Sequence, residues 1–138
     1  MRVLRPTVDR KFHIDFSWWA KQNKDIRVFM RELLCPESLE AANAAPDRQM
    51  VDMVDPETAE VTQVDVLWEA IRACCSLKPD YLPPETPILD SIFRVFLANG
   101  NQPLSILELH ERLDKKPPDV ILRILTRGQV YMGIKPVE

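Results

Sequence analysis

Arg123, Thr126 and Arg127 follow Asp119 at i+4, i+7 and i+8, so the four share one face if residues 119–127 are helical. Arginine reads guanine in a major groove through two parallel hydrogen bonds, which makes Arg123 or Arg127 a candidate base reader. Lys115, Lys116 and Lys135 flank this stretch and are of the type that binds phosphate. The same residues also read as the solvated side of an amphipathic helix, with Asp119 and Arg123 as an i,i+4 ion pair. With one acid among the four, the face is mixed in charge rather than cationic.

Trp18 and Trp19 form the second candidate. Neighbours on a helix point about 100° apart, so one core does not easily take both rings. One of them can then anchor a partner, since tryptophan is enriched at interface hot spots; the alternative is that both are covered, one by the domain and one by the N-terminal arm. Cys35, Cys74 and Cys75 offer thiol chemistry, and His13 and His110 could join them as ligands. However, Cys35-Pro36-Glu37-Ser38 lacks the second cysteine of a zinc knuckle, and adjacent cysteines are awkward co-ligands. The expectation is therefore free buried cysteines and no metal. Gly100, Gly128 and Gly133 all sit at element ends, so there is no glycine-rich phosphate loop. Neither histidine has a nucleophile close in sequence. No catalytic residue and no cofactor is expected.

The charge balance narrows the partner classes. The chain has 138 residues and a formal net charge of −3, which gives no overall attraction to nucleic acid. The distribution is uneven: residues 1–34 carry +4, residues 35–85 carry −8 and residues 86–138 carry +1. The basic arm and the acidic middle can attract each other or an outside partner. An odd number of irregularly spaced cysteines argues against a disulfide framework and for a reducing, cytoplasmic setting. The start has charges but no apolar signal core, and no apolar run approaches the length of about 20 residues that spans a bilayer.

The elements that position these residues follow from the punctuation. Residues 1–12 read as a basic arm, extended or pairing as an edge strand through 12–16. Ser17 is expected to cap a first helix at Trp18, stopped by Asn23 in a left-handed conformation. Asp25 caps a second helix over 26–34, whose Ile26, Phe29, Met30, Leu33 and Leu34 make one stripe, and Pro36 ends it. A helical turn is expected over 37–43. Residues 49–54 are of β-type and 60–64 alternate apolar and polar, and the two suggest a hairpin around a type I turn, Asp55-Pro56-Glu57-Thr58. Asp65 caps a helix over 66–77, and a stiff proline linker follows.

The last third is the most fully punctuated. Thr86 is the expected cap, Pro87 the first helical residue and Gly100 the stop. Ser105 and Glu108 have capping-box spacing, with Leu104 and Leu109 placed for a hydrophobic staple. Pro117-Pro118-Asp119 starts a third helix with an acid near its positive end, and Gly128 stops it. In this order of helix, short strand at 103–104, helix, tight turn, helix and strand-like tail, residues 87–137 resemble a winged-helix domain with a truncated wing. The resemblance covers over a third of the chain and rests on element order and caps.

The fold class expected is mainly α with a small β component. The division expected is a basic arm at 1–12, a helical segment at 13–82 with a hairpin at 49–64, and a winged-helix-like unit at 83–138; one compact domain over 13–138 is the other option. The resemblance implies a non-catalytic interaction protein, a transcription-associated regulator that binds duplex DNA or a protein partner. The alternative is a structural or adaptor subunit, or a homodimer, with no nucleic-acid contact. No membrane and no small-molecule substrate is expected.

Overall fold

The computed structural model describes residues 7–137. Among these residues the fold is mainly helical with a small β component: seven α-helices, a 3-10 turn and five short strands. The chain forms two compact units. One joins the N-terminal segment up to Lys24 with everything from Leu82 onward; the other is Asp25–Tyr81.

In the first unit, β1 (Lys11–Ile14) is the middle strand of a three-stranded antiparallel sheet, not an edge strand. β4 (Leu104–Ser105) pairs on one side, Phe12 opposite Leu104. β5 (Ile134–Pro136) pairs on the other, Ile14 opposite Ile134. The alternation of a strand puts Phe12 and Ile14 on one face, and both are fully buried. With the sheet stand the helices α1 (Phe16–Lys21), α5 (Ile88–Ala98), α6 (Ile106–Leu113) and α7 (Pro118–Thr126); α5 packs on β1, and α6 packs on β4, α5 and α7. Trp19, Ile92, Phe93, Phe96, Leu97, Ile106, Leu109 and Ile121 complete the core. Each such side chain contributes about 1.5–3 kcal/mol by leaving water.

The caps in this unit are partly those expected. Ser105 and Glu108 form the full capping box, with Glu108 N–H on Ser105 Oγ at 3.2 Å and Ser105 N–H on Glu108 Oε1 at 2.9 Å. Leu104 and Leu109, the staple pair, are buried. Gly100, Gly128 and Asn23 all have positive φ where stops were expected. α1 is capped two residues earlier than Ser17: Asp15 accepts from Ser17 N–H at 3.0 Å and from Ser17 Oγ–H at 2.6 Å. A carboxylate is the stronger acceptor, and Ser17 becomes its donor. α5 also differs. Pro87 is its N-cap and no side chain caps it, so Thr86 does not fill that role. Ser91, buried in the first turn, instead donates to the carbonyls of Pro87 and Thr86.

The second unit contains α2 (Ile26–Glu32), α3 (Pro36–Ala44), the hairpin β2 (Met50–Val54) and β3 (Val61–Asp65), and α4 (Val66–Ala73). Asp25 caps α2 by accepting from Arg27 N–H at 2.9 Å, and Asp65 caps α4 by accepting from Leu67 N–H at 2.8 Å. Asp65 also pairs with Arg27, which ties β3 to α2. The hairpin turn is wider than the type I turn expected: Ala59 N–H donates to Asp55 O at 2.8 Å, and Ala59 itself takes a positive φ. Pro36 does not end α2; it occupies the first turn of α3. The helix expected over 66–77 breaks at Cys74 and continues as a 3-10 turn, Cys75–Leu77.

Candidate functional site

α7 starts at Pro118, where the missing N–H costs nothing, and buries Ile121 against the first unit's core. This orientation turns Asp119, Arg123 and Thr126 to solvent; Arg127 is exposed too, but it follows the helix as an extended C-cap with φ −99° and ψ 119°, so it leaves the helical face that the spacing expects. Arg123 Nη2 lies 3.7 Å from Asp119 Oδ2, an i,i+4 pair whose side chains stay 62% and 74% exposed. At that exposure the pair contributes little to stability, roughly 0.3–0.5 kcal/mol. Thr126 Oγ1–H bonds back to Leu122 O at 2.7 Å. The tight turn before the helix is held by His110, whose Nδ1–H donates to Lys116 O at 2.7 Å. Lys116 is itself exposed.

The other two lysines from the sequence reading are half-buried and make hydrogen bonds within the unit. Lys115 Nζ–H donates to Thr86 O and, at 3.0 Å, to Ser91 Oγ. It thereby ties the turn before α7 to the Thr86 carbonyl ahead of α5 and to the Ser91 hydroxyl in its first turn, without capping the helix's free N–H groups. Lys135 Nζ–H donates to Asp15 Oδ2 at 3.2 Å. The two tryptophans also diverge. Trp19 is buried, its ring 5.6 Å from that of Phe93, and its Nε1–H donates to Met132 O at 3.1 Å. Trp18 is half-buried, edge-on to Trp19 and under Lys24 Nζ at 5.5 Å from the ring centre.

The second unit holds a cluster that the sequence alone does not reveal. Cys35 is the N-cap of α3, while Cys74 and Cys75 close α4. Cys35 Sγ lies 3.1 Å from Cys75 Sγ and 3.7 Å from Cys74 Sγ. Cys35 N–H donates to Cys75 Sγ at 3.1 Å, and Cys35 Sγ is 3.3 Å from Ser38 Oγ. Glu37 brings a carboxylate oxygen to within 4.8 Å of the Cys35 and Cys74 sulfurs, and Lys78 Nζ pairs with that carboxylate at 3.3 Å.

The electrostatics of the cluster are graded. Burial opposes a charge on Cys35, but hydrogen bonds from Ser38 and Cys75 outweigh it and hold this thiol below its ordinary range. Burial pushes the Cys75 thiol up. The Glu37 carboxyl is lowered by its hydrogen bond with Cys35 and then by Lys78. All three cysteines are free thiols, Cys35 and Cys75 buried and Cys74 half-exposed. The sequence signal that points here is weak, since Cys35 is some forty residues from the Cys74–Cys75 pair and only the fold joins them.

Comparison with known protein families, with characterised proteins and with solved structures finds no match to this chain. Among the described residues, no helix is long and apolar enough to cross a membrane.

Proposed function

We propose that this is a non-catalytic interaction protein whose C-terminal unit docks a protein partner of mixed surface charge through the polar face of α7. One observation carries the reading. Lys115 and Lys135, which duplex binding would use on phosphates, spend their hydrogen bonds inside the unit, while Arg123 is matched by Asp119. What is left exposed on and beside α7 is a mixed patch of Asp119, Arg123, Thr126, Arg127 and Lys116. Such a patch suits protein recognition better than a polyanion, whose affinity rests on many unpaired cations.

The order α5, β4, α6, α7, β5 supports treating the unit as winged-helix-like, a scaffold that serves docking and dimerisation as well as DNA. It departs from a wing in one respect: the strand paired with β5 comes from the N-terminal segment. Three free thiols support a reducing compartment such as the cytoplasm.

A photo-crosslinker placed at Thr126 tests the reading in cells. A discrete protein adduct, or an adduct with a second copy of the chain, that disappears in an Asp119→Arg/Arg127→Glu variant is expected. Fluorescence anisotropy with mixed-sequence duplex at about 50 mM salt is expected to show no binding. Salt-sensitive duplex binding lost in Arg123→Glu would replace the protein partner by DNA. That second reading is favoured by the exposure of both arginines at the C-terminal end of α7.

A further inference from the structure

Cys35 Sγ lies 3.7 Å from Cys74 Sγ with the Glu37 carboxylate beside this pair, and Cys75 Sγ approaches Cys35 at 3.1 Å from another side. We infer that Cys35, Glu37 and Cys74 form a binding site for a thiophilic divalent cation, zinc, with Cys75 turning in as the fourth donor. The inference is independent of the reading of α7, which belongs to the other unit.

The donor spacing fits the ion. With Zn–S bonds of about 2.3 Å, two sulfurs on a tetrahedral zinc stand about 3.8 Å apart. The Cys35 and Cys74 sulfurs are 3.7 Å apart. The Cys35–Cys75 separation of 3.1 Å is shorter than that edge, and Cys75 Sγ does not stand within 4.8 Å of both other donors, so metal binding requires its side chain to rotate toward Cys74 and Glu37. The Glu37 carboxylate stands within 4.8 Å of the Cys35 and Cys74 sulfurs, in place to be the fourth donor. Soft sulfur donors select zinc and copper(I) over magnesium and calcium, and a carboxylate in a four-donor set favours the dication.

The surroundings are those of a metal–thiolate site. The Cys35 N–H already points at the Cys75 sulfur, as amides do toward bound thiolates. Lys78 holds the Glu37 carboxylate and offsets part of the negative charge that three thiolates would bring. Adjacent cysteines are poor co-ligands within a helix, but the helix does not continue through this pair. Cys74 has φ −130° and ψ −63°, α4 stops there and the 3-10 turn begins at Cys75, which lets both sulfurs reach Cys35.

The unit also has a physical need for such a staple. In Asp25–Tyr81 the buried hydrophobic side chains are Met30, Cys35, Leu67, Ile71, Cys75 and Tyr81. A unit of roughly 60 residues is marginal on its hydrophobic core alone, and a structural metal is a common supplement. Here two of the few buried positions are ligands. The ion would join the start of α3 to the end of α4, and its binding releases the thiol protons to solvent.

The test uses the full chain, expressed with zinc in the medium and purified under reductant without chelator. Elemental analysis is expected to find one zinc per chain. Titration of the stripped protein with cobalt(II) is expected to give thiolate-to-cobalt charge-transfer absorption and the visible bands of a tetrahedral site. Cys74→Ser, at a half-exposed position that the fold tolerates, is expected to weaken cobalt binding at least tenfold. Glu37→Gln is expected to keep the charge-transfer band and shift the visible bands. A full-length chain that carries no zinc and shows no charge-transfer band with excess cobalt overturns the inference. So does metal binding left unchanged in both variants, or a Cys35–Cys75 disulfide in protein whose thiols are alkylated at lysis.

Discussion

Asn101 completes the edge of β1 where β4 ends, by bonding both backbone groups of Ile14. Its Oδ1 accepts from Ile14 N–H at 2.8 Å and its Nδ2–H donates to Ile14 O at 2.9 Å. Its own backbone takes φ 60°, which asparagine tolerates better than most residues. A single side chain thus stands in for a missing strand residue beside a fully buried isoleucine.

Asn101→Ala leaves a strand donor and acceptor without partners and places alanine in a left-handed conformation. The expected loss is about 2–4 kcal/mol, from roughly 1–3 for the orphaned groups and about 1 for the backbone. Asn101→Gly removes only the hydrogen bonds, so the difference between the two variants in urea unfolding separates the causes. Equal stability of Asn101→Gly and the native chain contradicts the strand-substitute role.

Asp15 links stability to pH. Its carboxyl is lowered from 3.8 to about 2, first by the hydrogen bond from Ser17 and then, against the effect of burial, by Lys135. A folded value below the unfolded one means the stabilisation is complete above the unfolded value and is lost as pH falls from about 4 toward 2. The shift corresponds to about 2.5 kcal/mol at most, and with the side chain 28% exposed, screening reduces this to about 1–2. Asp15→Asn is expected to be less stable than the native chain at neutral pH by that amount. The two urea midpoints should converge near pH 2. Parallel curves over the whole range would show that the carboxylate is not the linked group.

How legible these features are in the sequence depends on whether their partners are local. Asp25, Asp65 and the Ser105–Glu108 box act within three residues, and each caps the helix it precedes. Asp15 and Ser17 are both good caps two residues apart, so pattern alone does not choose between them. β1 is four residues whose partners lie near positions 104 and 135, so nothing local marks Lys11–Ile14 as the central strand. Asp119, Arg123 and Thr126 of α7 are written in a helical spacing and lie in solvent, whereas Arg127 falls just past the helix end in an extended conformation, which the spacing does not show. The lysines and thiols are different: whether Lys115 is free, or Cys35 meets Cys75, depends on contacts 29 and 40 residues away in the chain.

Gly133 and Gly128 share a φ of 79° but differ in surroundings. A Cβ on Gly133 would lie 2.8 Å from Asp15 O and 3.1 Å from Trp19 Nε1, whereas one on Gly128 meets nothing within 4 Å. Gly128→Ala is expected to cost about 1–2 kcal/mol, the backbone strain alone. Gly133→Ala adds overpacking of about 1–3 kcal/mol and displaces Trp19 from the Met132 carbonyl. Tryptophan emission is expected to change in Gly133→Ala and to stay native in Gly128→Ala. Equal destabilisation in the two variants would deny the close packing of Gly133 on Asp15 and Trp19.

Lys115 tests whether a charged residue beside α7 serves the partner or the fold. Its ammonium bonds the Thr86 carbonyl and Ser91 Oγ, and Ser91 is fully buried in the first turn of α5. Lys115→Met keeps the apolar stem and removes the donors. The Thr86 carbonyl and the Ser91 hydroxyl oxygen then lose that donor. Hydrogen bonds from a charged donor contribute about 1.5–3 kcal/mol, and the urea midpoint is expected to fall accordingly. Crosslinking through Thr126, measured under conditions where the variant is fully folded, is expected to match the native chain. Native stability with reduced crosslinking would place Lys115 at the docking face instead.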